Sequence, residues 1–234
     1  MDMVMASTTT EATLYRLMTW LTPSFPVGAF SYSHGLEWAV ESGDIRDLDS
    51  LTNWLSDLLA QGSGRNDAIL LAEAWRAAMA SDWQRLADIC ELALALSPAR
   101  ERHLETAMQG RSFASAIATS WPCAAISELQ QRAGTAIAYP VAVGAASAGH
   151  GLPLEPVVAA YLHGFVANLV SAGVRLIPLG QTDGQRALVA LEGPVGEAAR
   201  QAIQSDLDDL GAAMFRADIA AMKHETQYTR LFRS

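Results

Sequence analysis

Apolar residues recur along this chain at the spacing of an α-helix. In residues 47–62, Leu48, Leu51, Leu55, Leu58 and Leu59 fall on one face, with Asp47 able to cap the start and Gly62 the end. A second helix fits residues 82–96, with Leu86, Ile89, Cys90, Ala93 and Leu94 inward and Asp82 as N-cap. Ser97-Pro98 ends it and opens a third, whose apolar positions are Leu104, Ala107, Met108 and Ile117 and which reaches Ser120 before Trp121-Pro122. Proline at a first helical position suits both starts. Further helices are expected over residues 11–21, 66–80, 139–149, 156–177, 181–191 and 196–210. The run ALVAL at 187–191 is too short for spacing to separate strand from helix, but its alanine-rich flanks favour helix. With no alternating strand, the pattern predicts an all-α, single-domain bundle of roughly ten helices over residues 11–222. Residues 1–10 are expected to be disordered, and residues 223–234 to form a C-terminal docking tail.

Composition narrows the classes. The 234 residues suffice for one large core, and no repeat or linker marks a second domain. Sixteen Lys plus Arg against 25 Asp plus Glu give a net charge of -9, a field that repels phosphate backbones, so no nucleic acid is expected as partner. Cys90 and Cys123 stand far apart without zinc-site spacing and read as reduced thiols of a cytoplasmic protein. The first ten residues lack the basic start and apolar centre of a signal peptide. Residues 133–174 hold Glu155 as their only charged side chain, yet Pro140, Pro153, Pro156, His150, His163 and Asn168 interrupt them. They read as buried helices closely packed through small residues, or as part of a subunit interface, rather than as a membrane span.

Two segments are not explained by a core. In residues 22–44, Pro23, Pro26 and Gly28 hold a non-helical path, Ser31 or Ser33 can cap a short helix, and Gly43 can stop it. Phe25, Phe30, Tyr32 and Trp38 crowd this stretch and suit a core edge or a contact surface. His34 and Glu37, three apart, could share a proton as an acid–base pair or bind a metal, although such an isolated pair serves more often as a cap or a surface hydrogen bond. The second segment is the tail, MKHETQYTRLFRS, whose Lys223, Arg230 and Arg233 outweigh Glu225 on an otherwise acidic chain. His224-Glu225 starts like a zinc-protease helix, but position 228 is Tyr, so no H-E-x-x-H forms. Tyr228, Leu231 and Phe232 interleaved with Arg230 and Arg233 offer interface anchors. Five scattered histidines and two distant cysteines supply no metal ligand set, and no cofactor is expected.

Taken together, PVGAFSYSHGLE at 26–37 and HETQYTRLFRS at 224–234 resemble the UreF family of urease accessory proteins. The family pattern is Pro-x-Gly-x-Phe-x-Tyr-Ser-x-Gly-Leu-Glu near the N-terminus and His-Glu-x-x-Tyr-x-Arg-Leu-Phe-x-Ser at the end. The resemblance implies a helical homodimer that binds UreD, also called UreH, and the GTPase UreG, and that regulates nickel delivery to apo-urease without catalysing a reaction. The lack of a GxxxxGK[ST] phosphate loop agrees with a partner of the GTPase rather than the GTPase itself. By matching motif positions, Tyr32 and Arg230 look like the pair that positions the tail and presents a surface to UreG. Ser33, Gly35, Glu37, His224, Glu225 and Tyr228 are the next partner-binding candidates, with Leu231 and Phe232 as anchors toward UreD. Gly28 and Gly35 can instead serve backbone geometry alone.

Overall fold

The computed structural model describes the backbone from residue 2 and side chains from residue 11 to residue 234; the expectation of disorder over residues 1–10 lies outside the fully described part. The protein is all-α, 74% helical, with no strand among the described residues. Its helices are α1 (Asp2–Trp20), α2 (Leu36–Glu41), α3 (Leu48–Gln61), α4 (Ser63–Met79), α5 (Trp83–Ala95), α6 (Arg100–Ser120), α7 (Ala124–Ala133), α8 (Tyr139–Gly149), α9 (Leu154–Leu176), α10 (Gln181–Gln204) and α11 (Phe215–His224).

Local chemistry sets several boundaries. Asp47 caps α3 by accepting from the Ser50 N–H at 2.9 Å, and Asp82 caps α5 by accepting from the Arg85 N–H at 3.0 Å. The prolines before α6 and α7 sit one position outside the N-caps rather than at a first helical position. Ala99 and Cys123 hold the caps with φ of -138° and -149°, which a proline ring locked near -65° cannot adopt.

Residues 181–210, expected as two helices, are one helix that passes through Pro194 and ends at Gln204; Leu207–Asp209 is a short 3-10 turn. Interior proline costs roughly 3 kcal/mol. Leu191 before it and Ala198, Ala199 and Ala202 after it are buried, with α10 lying against α9, α3 and α4, so packing on both sides offsets the lost hydrogen bond. Residues 187–191 are helical, as their flanks suggest. The pattern gave no sign of α11, whose buried positions are mostly alanine: Ala217, Ala220, Ala221 and His224.

The charge-poor stretch around 133–174 supplies the centre of the bundle. Residues Pro140 to Ala148 of α8 are buried, against α4, α6 and α7. Gly144 permits a close approach, since a Cβ there would run into the Leu71 carbonyl of α4. The following helix, α9, is long and apolar enough to span a membrane by length and composition, but half of its most apolar window is buried inside this protein. Half of that apolarity is therefore used within the fold.

Candidate functional site

The two motif segments, far apart in sequence, meet in space. Gly28 and Gly35 adopt left-handed φ of +74° and +77°, and His34 also has positive φ, 63°, so the chain turns sharply into α2. Gly35 is the N-cap, while the Ser33 hydroxyl accepts from the Glu37 N–H at 3.3 Å; Gly43, φ +80°, follows the end of the helix, where it was expected to stop it. Along this loop the tail lies down. The Arg233 N–H donates to the Ser31 carbonyl at 2.9 Å, and the Ser234 carbonyl accepts from the Ser33 N–H at 2.8 Å and from the Ser33 hydroxyl.

Glu37 and His224 form the inner clasp. The Glu37 carboxylate accepts from the Leu231 N–H at 2.7 Å, the Phe232 N–H at 3.0 Å and His224 Nε2 at 3.1 Å. On its other side, His224 Nδ1 meets Glu101 of α6 at 2.6 Å, and Glu101 accepts from Arg230 at 2.7 Å. Glu225 accepts from the Arg100 N–H at 2.8 Å. His224 is fully buried and Glu37 nearly so. Arg175 of α9 clamps the outside, its guanidinium 3.9 Å from the Phe30 ring and 4.4 Å from the Phe232 ring.

His34 and Glu37 do not form an acid–base pair. The His34 ring turns to Ser63 of α4, Nε2 to hydroxyl at 2.5 Å, and to Glu105 of α6 at 3.5 Å, whereas Glu37 is filled by the tail. Burial and then the Arg102 charge push the His34 imidazole down to about 4. Glu105 also accepts from the Ser234 hydroxyl at 2.6 Å and pairs with Arg102. Burial alone would raise the Glu105 carboxyl, but Arg102, with His34 and Ser234, holds it well below the usual carboxylate range.

Behind this pair lies a cavity of about 120 Å³, lined by His34, Asp67, Arg102, Glu105, Tyr161 and Asn168 among others. Burial pushes Asp67 up to about 6, against the Arg102 charge and the Tyr161 hydroxyl that donates to it at 3.0 Å. Among the described residues, no three His, Cys, Asp or Glu side chains converge in a way that could hold a metal ion.

The sequence-based candidates thus separate into two groups. Ser33, Gly35, Glu37, His224 and Phe232 are turned inward, Tyr32 buries its ring with its carbonyl accepting from Asn168 at 3.4 Å, and Glu225 is half-buried. Tyr228, Arg230 and Leu231 face outward. Tyr32 and Arg230 are not joined to each other: Arg230 reaches Glu101 instead.

Glu101, Arg102, Glu105 and Arg175 went unnoticed in the sequence. On α6 the expected apolar face is partly reversed, with Leu104 and Met108 exposed and Arg102, Glu105 and Gln109 buried. The available signal was the i, i+3, i+7 polar spacing of Arg102, Glu105 and Gln109, which leads into Phe113 on the same face.

Fold and site define an all-helical protein whose buried polar centre holds its own tail in place. A model of the UreF family matches residues 45–192, which exclude both motif segments. Curated relatives extend the likeness over nearly the whole chain. The urease accessory protein UreF of Rhodopseudomonas palustris (strain BisA53) is 56% identical over 223 residues, 95% of this chain and 94% of that protein. That of Bradyrhizobium sp. (strain ORS 278) is 54% identical over 223 residues, covering 95% and 92%, and that of Methylobacterium radiotolerans is 54% identical over 219, covering 94% and 96%. The chain belongs to the UreF family.

Proposed function

We propose that this chain is a urease maturation factor, an accessory scaffold for nickel insertion with no catalysis of its own. It binds UreD/UreH and the GTPase UreG as a cytoplasmic homodimer, and regulates GTP-dependent delivery of nickel, the cargo, to apo-urease. Membership of a family whose relatives are named urease accessory proteins supports the maturation role. The observation that carries the scaffold reading is the tail: its inner edge is fixed by buried partners while Tyr228, Arg230 and Leu231 stand outward, an aromatic, a guanidinium and an aliphatic side chain of the kinds that anchor interfaces. Leu104 and Met108, exposed on the helix that holds Arg230 through Glu101, extend the apolar surface on offer.

The test is co-purification of the full chain with UreD and UreG, paired with urease activation in cells. Capture of both partners, reduced together with activation when Tyr228, Arg230 and Leu231 are each changed to Ala, is the expected result. Undiminished capture and activation in the triple variant would overturn the role given to the tail. Light scattering on purified protein tests the dimer, which a monomer at micromolar concentration would refute.

A further inference from the structure

One carboxylate holds two consecutive amides of the tail. Glu37 Oε1 accepts from Leu231 N–H and Oε2 from Phe232 N–H, with His224 Nε2 also on Oε2. From Leu231 to Ser234 the side chains alternate outward and inward, and Leu231 is 64% exposed where Phe232 is 5% exposed. With such alternation, a slip of one residue would turn Leu231 in and Phe232 out. The choice between these registers therefore rests on which two amides the carboxylate grips, together with the Ser31 and Ser33 bonds to the last two residues.

His224 secures the grip. Its two ring nitrogens meet carboxylate oxygens of Glu37 and Glu101, at 3.1 Å and 2.6 Å, so the ring ties α2 to α6 beside the tail. Arg230 meets the other Glu101 oxygen at 2.7 Å, at the partly exposed edge of the clasp, while His224 and Glu37 are buried within it.

We propose that Glu37 is the positioning residue of the tail, setting the register that presents Tyr228, Arg230 and Leu231 while Phe232 is anchored. The proposal rests on the reading of the tail as a docking element and deepens it: Glu37 acts through the tail, and no partner touches it.

The experiment measures residue-resolved amide exchange of the full chain with Glu37→Gln and Glu37→Asp, together with affinity for purified UreD. In Glu37→Gln an amide NH2 replaces one acceptor oxygen and confronts an N–H donor. Exchange at Leu231 and Phe232 should rise about tenfold or more, with α4 and α8 amides unchanged, and affinity for UreD should fall about tenfold. Glu37→Asp, which keeps the charge on a shorter arm, should lie between the two, and carries the same comparison if the Gln variant does not fold. Unchanged exchange at the two amides, or a rise spread equally over the core, overturns the proposal. Faster exchange with unaltered affinity also overturns it; Arg230→Ala then separates the causes, since a loss of affinity in that variant leaves the docking reading standing and no loss removes both.

Discussion

Gly35, at the start of α2, and Ala221 of α11 touch backbone to backbone: a Cβ on Gly35 would stand 2.8 Å from the Ala221 nitrogen. Since Gly35 also has φ of +77°, both the conformation and the contact exclude a side chain. Gly35→Ala should lower stability by about 2 kcal/mol or more. Gly28, with φ of +74° and open space around it, isolates the conformational part, so Gly28→Ala should cost only about 1 kcal/mol. Urea denaturation midpoints of the two variants check the difference, which equal losses would contradict.

Phe232 belongs to the core cluster although it lies in the tail. Its truncation to Ala removes a buried ring and one face of the Arg175 clamp, and should cost about 3 kcal/mol, visible as a clear drop in melting temperature. A melting temperature equal to that of the unaltered chain would place the ring outside the core.

Arg230→Ala should behave in the opposite way. Its ion pair with Glu101 is partly exposed and contributes modestly to stability, so thermal melting should barely move. Binding of UreD or UreG should weaken by roughly 2 kcal/mol, about thirtyfold, if the guanidinium anchors the partner. Titration calorimetry with each partner is the measurement, and full affinity for both would remove Arg230 from the interface.

Asp67 predicts a pH effect of defined sign. Its carboxyl is raised to about 6 in the folded chain against 3.8 when unperturbed, so between those values the folded state holds a proton that the unfolded state has released. That contribution to stability is complete below the unfolded value and is lost as pH rises to about 6. Asp67→Asn lacks it. The stability of the variant relative to the unaltered chain should therefore increase from pH 4 to pH 6 and then level off. His34, lowered to about 4, acts in the reverse direction over an overlapping window, so the comparison must be made between the two chains at each pH. Urea titrations from pH 4 to 7.5 would show the trend, and a constant difference would refute it.

The helices legible in the sequence are those whose signal is local. The face of α3 and the Asp47 and Asp82 caps depend on residues within one or two turns, and the structure places them where the spacing did. Pro194 misled because its local penalty is real, while the compensation comes from packing of α10 on other helices. Both motif segments could be singled out from their Gly, Pro, aromatic and charged residues. Their meeting could not, since Ser33 and Ser234 lie 201 positions apart.

The sequence by itself determined an all-α chain, an acidic body with a basic tail, and the two segments that carry the family resemblance. Only the tertiary structure decided which side chains of those segments turn inward and which face outward. Periodicity records how apolar residues repeat along one helix, and by that measure Leu104 and Met108 belonged inside and Arg102 and Glu105 outside. The structure reverses them because burying a charge depends on compensation: Arg102 and Glu105 pair with each other, and the further groups on Glu105, His34 and Ser234, arrive from other parts of the chain. For the same reason Glu37, which in sequence could have been a surface cap or a base, became a buried acceptor once the Leu231 and Phe232 amides, nearly two hundred residues downstream, closed over it.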